Sequence, residues 1–135
     1  MALQYSNGIR NAQLNTVEGT TGTDAILKIW SGAAPANCAA ADSGTALVII
    51  TLPTDWMDQA SAAVKVKSGT WSDASADATG TAGHFRIYAS NGTTCNVQGE
   101  ITITGGGGVM TVDSLSVTAG QTFTVTGFTL AAGNA

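Results

Sequence analysis

His84-Phe85-Arg86-Ile87-Tyr88-Ala89-Ser90-Asn91-Gly92-Thr93-Thr94-Cys95-Asn96-Val97-Gln98-Gly99-Glu100-Ile101-Thr102-Ile103-Thr104 is the stretch whose reading decides the fold class. Two alternating runs flank a turn signal. In the first, Phe85, Ile87 and Ala89 share one face, and His84, Arg86 and Tyr88 share the other. In the second, Cys95, Val97, Gly99, Ile101 and Ile103 fall on one side, opposite Asn96, Gln98, Glu100, Thr102 and Thr104. A period of two is the signature of a half-buried strand. Asn91-Gly92 supplies the positive φ that a tight hairpin needs, so the two runs are expected to be antiparallel neighbours.

The pattern extends outward from this hairpin. Ala25, Leu27 and Ile29 share a face before Trp30. Thr45 to Leu52 is a nearly continuous apolar run stopped by Pro53, which predicts a strand buried on both faces. Val64 and Val66 are expected inward, with Lys65 and Lys67 outward. Val109 to Val112 and Ser114 to Val117 are short strand candidates. In the last run, Gln121 to Leu130, Phe123 and Val125 are out of phase with Phe128 and Leu130. A β-bulge at Gly127 would return all four to one face. Gly105 to Gly108 reads as a flexible turn.

Before the strands, Ser6 to Gly19 reads as a helix. Ser6 or Asn7 would cap it, Gly19 and Gly22 would end it, and Ile9, Ala12, Thr16 and Val17 would form its face. The expected architecture is therefore all-β: an antiparallel two-sheet β-sandwich, jelly-roll-like, over residues 23–135, preceded by a short N-terminal helix or arm over residues 1–22.

Composition limits what such a domain does. Its 135 residues suit one core. Only 10% are charged, against a norm of about 25%, and the net charge is −4. Five scattered Lys and Arg make no basic stripe, so nucleic acid is not an expected partner. No apolar run approaches the roughly 18 residues that cross a bilayer, so neither is a membrane. Met1 to Asn15 lacks a basic segment followed by an apolar one, and synthesis in a cytosol is expected. Cys38 and Cys95 read either as buried thiols or as a disulfide formed after release from the cell. Such a bond would close a long loop and add up to about 4–5 kcal/mol.

Residue-level chemistry points away from catalysis. The single histidine, His84, sits in a strand, and no Gly-x-Ser-x-Gly elbow surrounds a serine. Glu18 and Glu100, one in the helix and one on a strand, form no evident acid–base pair. Asp55 and Asp58 flank Trp56, where a helical turn capped by Asp55 is the simpler reading. No Gly-Lys-Ser/Thr follows Gly105 to Gly108, as a phosphate loop requires. Asp73 to Gly80 has oxygen-bearing residues at alternate positions but lacks a calcium loop's glycine and terminal glutamate. No enzyme, metal site or cofactor is expected. Trp30, Trp56 and Trp71 read as core or interface anchors, with a sugar-stacking platform as the alternative.

Several segments carry a resemblance: Leu3 to Ala12, Ile29 to Thr45, Leu52 to Met57, Ala63 to Trp71, Gly80 to Tyr88 and Phe128 to Ala135. In this order they resemble a family of small structural proteins of tailed bacteriophages and prophages, among them capsid decoration, or cement, proteins. The resemblance implies a homodimer or homotrimer bound to the major capsid protein outside the head, made in the host bacterial cytoplasm and resident on the virion. It brings no catalytic motif. Leu3, Tyr5, Ile9 and Arg10 are the expected contacts of a reaching arm, with Trp30, Trp56 and Trp71 as further anchors. A tail, adaptor or fibre-associated subunit, or a carbohydrate-binding module touching the host surface, are the alternatives.

Overall fold

Ser6 has extended backbone, and its hydroxyl accepts from the Ile9 N–H at 3.3 Å, so the helix starts where a capping residue satisfies an orphan donor. The helix, α1 (Asn7–Thr21), runs through Gly19 and ends at Gly22, whose φ of 89° suits glycine. These features belong to a computed structural model that describes residues 3–133. After α1 come nine strands among the described residues: β1 (Ile26–Ser31), β2 (Ala46–Thr51), β3 (Val64–Val66), β4 (Ser72–Asp73), β5 (Gly80–Tyr88), β6 (Cys95–Ile103), β7 (Met110–Val112), β8 (Ser116–Val117) and β9 (Phe123–Ala131).

The strands hydrogen-bond in the order β2-β1-β5-β6-β7-β9-β3, with β4 joined to β9 and β8 to β5. Because β4 also lies against β2, the path curls around its own core. The protein is mostly β with one helix, as expected, but this is one curled, mixed sheet path. All strand pairs are antiparallel except β6 with β7, which run parallel in the register Ile101↔Met110 to Ile103↔Val112.

That parallel pair corrects the reading of Gly105–Gly108 as a loose turn. Parallel neighbours ordinarily need a crossover of a dozen or more residues. Here the chain returns between Ile103 and Met110 because the glycines fold flat against Thr102. The Gly108 N–H donates to Thr102 Oγ1 at 3.0 Å. A Cβ on Gly108 would lie 2.7 Å from that oxygen, and one on Gly106 would lie 2.9 Å from the Ile103 carbonyl oxygen.

The hairpin between β5 and β6 forms as expected, with one refinement. Gly92 alone takes positive φ, at 71°, while the Asn91 side chain accepts from the N–H groups of Thr93 and Thr94, each at 2.9 Å. In β9 the register slips between Thr111↔Gly127 and Val112↔Val125, which makes Thr126 the extra residue. Phe123, Val125 and Phe128 are therefore all buried, with Leu130 packed against them. β2 departs from its reading: it is an edge strand and leaves Ile49 exposed. Ile103, expected inward, is also exposed, at the end of β6.

An aromatic chain fills the core. Ring centroids are 6.0 Å apart for Trp56–Trp71, 5.2 Å for Trp71–Phe128 and 5.5 Å for the edge-on Phe85–Phe128 pair. Such pairs add about 0.5–1.5 kcal/mol each beyond the area they bury. The two indole N–H groups of this chain of rings are satisfied: Trp56 donates to the Gly22 carbonyl and Trp71 to the Ser68 carbonyl, both at 3.1 Å. No helical turn follows Pro53. Instead Trp56 inserts into the core and Met57 bridges to Lys67.

Candidate functional site

The surface of this molecule is defined by two segments that seal the outside of the sheet. The first is α1. Its packed side is the polar stripe Arg10, Asn11, Asn15 and Glu18, with Leu14, Thr21 and, from the expected face, Val17; the rest of that face, Ile9, Ala12 and Thr16, is exposed. The stripe binds the backbone of distant segments. Arg10 donates to the Ala132 carbonyl from Nε at 2.9 Å and Nη2 at 2.6 Å. Asn11 Oδ1 accepts from the Ala63 N–H at 2.8 Å, Asn15 Oδ1 from Ala60 at 3.0 Å, and Glu18 Oε2 from Met57 at 2.5 Å.

Beneath the helix lies Lys65, 1% exposed. The expected parity of β3 is inverted: Lys65 faces in, and Val64 and Val66, 39% and 40% exposed, face out. Burying an ammonium is tolerable only if its donors are met. Lys65 Nζ donates to Asn15 Oδ1 and the Asp58 carbonyl, both at 2.9 Å, and stands 3.7 Å from the Glu18 carboxylate. The sequence signal for this, Asn11, Asn15 and Glu18 at helical spacing above a lysine-bearing strand, is polar, so an apolar-periodicity reading passes over it. Beside the cluster an open groove of about 440 Å³ runs between α1 and the Thr54–Gln59 segment.

The second seal is the irregular segment from Gly32 to Gly44. It corrects the outward, solvent-facing reading of His84, Arg86 and Tyr88, each 1% exposed. They do point away from Phe85 and Ile87, but this segment covers them. His84 Nδ1 lies 2.8 Å from the Gly32 carbonyl. Arg86 Nη2 donates to the carbonyls of Asn37, Cys38 and Ala40 at 3.3, 2.9 and 3.1 Å, and Nη1 pairs with Asp42. The Tyr88 hydroxyl donates to the same Asp42 oxygen at 2.5 Å, and Gln98 reaches the Pro35 carbonyl at 2.8 Å. Lys28 Nζ sits 4.7 Å from the Tyr88 ring centroid.

Electrostatics in this seal follow from burial and pairing. Burial alone pushes the Asp42 carboxyl up, but the hydrogen bonds from Tyr88 and Arg86, with the charges of Arg86 and Lys28, outweigh it and hold the group below its ordinary value. For Arg86, burial acts downward and the Asp42 hydrogen bond prevails, so its pKa is raised. Burial, then the bond to Asp42, raises the Tyr88 phenol as well. The result is a neutral phenol and a fixed ion pair, an arrangement for holding a segment in place.

The proposed contact residues separate into two groups. Leu3, Tyr5 and Ile9 are exposed, Leu3 at 70% and Ile9 at 50%, whereas Arg10 is partly buried and bonded to Ala132. Trp56 and Trp71 are fully buried in the core, whereas Trp30, 9% exposed, is buried on the other face of the sheet, paired with His84. The sequence reading missed Val64, Val66 and Val109, which are exposed here. Arg10 and Asn11 tie the N-terminal turns of α1 to Ala132 and Ala63, which places Ile9 near the β3–β9 end of the sheet that bears Val64 and Val66. Among the described residues no helix is long and apolar enough to cross a membrane, and no three His, Cys, Asp or Glu side chains group as metal ligands. No protein-family model, no curated protein and no solved structure matches this chain at a significant level.

Proposed function

We propose that this chain is a bacteriophage virion structural protein, a capsid decoration subunit of jelly-roll-like sandwich character that binds the major capsid protein lattice as a dimer or trimer and stabilises the head. The resemblance of its segments to small phage structural proteins motivates the reading. The observation that carries it is the set of exposed apolar side chains Leu3, Ile9, Val64 and Val66, on a body whose helix is held by side-chain hydrogen bonds to the backbone of distant segments. Exposed apolar side chains on a pre-ordered surface bind with little ordering cost. Several such subunits in one oligomer gain avidity across neighbouring capsid sites.

In this reading α1 is a docked element that presents Ile9, with Leu3 on the segment just before it, and the contact comes from its outer side. The test is quantitative gel densitometry of purified particles against the major capsid protein. Hundreds of copies per particle, shed from intact heads on mild dissociation, support the cement role. A few copies retained on detached tails overturn it in favour of a tail or adaptor subunit. With heads in hand, Leu3→Ser with Ile9→Ser should weaken binding at least about tenfold, the effect of losing about 1.4 kcal/mol.

A further inference from the structure

Cys38 and Cys95 are far apart in the chain, and the fold brings them to one place by two separate routes. Cys95 opens β6, where strict alternation would place it with Val97 on the core side. The β5–β6 register runs Phe85↔Gly99, Arg86↔Gln98, Ile87↔Val97 and then jumps to Tyr88↔Cys95. Asn96 is thus the extra residue of a bulge, and a bulge reverses parity beyond it. Directly paired residues of antiparallel strands share a face. Cys95 therefore lies on the side of Arg86 and Tyr88, under the 32–44 segment.

Cys38 reaches the same side from that segment. Its carbonyl accepts from Arg86 Nη2 at 2.9 Å, and Asp42, four residues on, takes the Tyr88 hydroxyl. The Cys38 side chain neighbours the Cys95 thiol, and the Arg86 guanidinium also reaches that thiol. Both cysteines are free and partly buried. The 32–44 segment has no strand pairing of its own between Gly32 and Gly44, so a covalent tie there would add what hydrogen bonds alone now supply.

We propose that Cys38 and Cys95 close into an intramolecular disulfide when the protein meets an oxidising surrounding, stapling the 32–44 segment to the β5–β6 face. With a small-molecule disulfide RSSR as oxidant, one cysteine thiolate attacks an RSSR sulfur and expels RS⁻. The second thiolate then attacks the mixed disulfide and expels the other RS⁻. The oxidant's S–S bond breaks and the Cys38–Cys95 bond forms. The two thiol protons end on two RSH, and two electrons pass from protein to oxidant. Burial, reinforced by Cys38, pushes the Cys95 thiol up to about 11, so closure is slow at neutral pH. The pair suits a slow-forming structural staple and not a fast sensor, and in a reducing cytosol it stays open. The inference is independent of the capsid reading.

The test uses the purified full-length chain, freshly reduced and then incubated with oxidised glutathione. The expected product is a monomer about 2 Da lighter, free of glutathione, with Cys38 and Cys95 peptides joined in a non-reduced digest. Closing a loop of about 60 residues should raise Tm by about 10 °C. Reductant should reverse the rise, and a Cys38→Ser, Cys95→Ser double variant should lack it. Stable glutathione adducts, disulfide-linked dimers, unchanged free thiols after prolonged incubation, or a closed bond that leaves Tm level or lower would each overturn the proposal. The wild-type chain is compared with itself, so the result stands whether or not the double variant folds.

Discussion

Arg86 and Lys65 are each 1% exposed, each sealed by a segment laid over the sheet, and the two seals rest on different chemistry. The 32–44 segment is held chiefly by one guanidinium, which meets three carbonyls and a carboxylate in direct contact, with His84, Tyr88 and Gln98 adding one bond each. The α1 seal is spread along the helix, with Arg10, Asn11, Asn15 and Glu18 each holding a separate point, and Lys65 relies chiefly on neutral oxygens with its carboxylate at 3.7 Å. A planar fork with five donors suits convergence, whereas an ammonium with three suits a small cage. The first seal should fail at a single residue. The second should lose strength by degrees.

The largest effect should come from Arg86→Ala, which strips the Asn37, Cys38 and Ala40 carbonyls of the segment, and the partly exposed Asp42, of their shared donor. A buried acceptor left without its donor costs about 1–3 kcal/mol, and with three carbonyls affected the loss should exceed about 3 kcal/mol, to be read from urea unfolding. Hydrogen exchange across residues 32–44 should rise at the same time. Next, Gly83→Ala attacks the same seal by sterics. The new Cβ would lie 2.1 Å from the Gly32 carbonyl oxygen, a backbone atom that cannot rotate away. A cost near the top of the overpacking range, about 3 kcal/mol, is expected, with exchange again rising at the segment and not at α1.

Lys65→Met tests the distributed seal. It leaves Asn15 Oδ1 and the Asp58 carbonyl short of a donor, and about 2 kcal/mol should be lost in the same urea assay with helix content retained by circular dichroism. If Lys65→Met costs as much as Arg86→Ala, the contrast between the seals is wrong.

A pH titration sharpens the comparison further. The folded-state pKa of Asp42 is lowered from 3.8, so its ionisation stabilises the fold above that value, and the contribution is lost as pH falls through the lower folded pKa. Between about pH 4 and pH 2 the urea midpoint of the wild type should fall more steeply than that of Asp42→Asn. Equal slopes would detach Asp42 from the seal. The smallest effect is expected at the helix start: Ser6→Ala removes one exposed cap bond and should cost about 0.5–1 kcal/mol, measured as a drop in Tm.

Much of the fold was legible because it is local. The Ser6 cap, the Gly22 stop, the Asn91-Gly92 hairpin and the slip beside Gly127 each depend on residues within a few positions of one another. The candidate surface was only half legible. Leu3 and Ile9 were expected at the surface and lie there. Val64 and Val66 read as core because alternation orders side chains by parity and is silent on which parity faces in. Apart from Val17, the packed helix face was misread for a related reason, since the stripe that docks is held by hydrogen bonds to Ala60, Ala63, Met57 and Ala132 and carries little apolar signal.

By itself, then, the sequence determined where the helix and most strands lie, where the chain turns, and that a low-charge β-rich body would form. Tertiary structure alone decided that Lys65 faces inward, that both sides of β5 are covered, that β6 and β7 run parallel, and that Cys95 turns toward Cys38. The physical reason is range. Periodicity and capping report forces between near neighbours, whereas burial depends on which remote segment arrives to exclude water and which polar groups it brings for the buried charges.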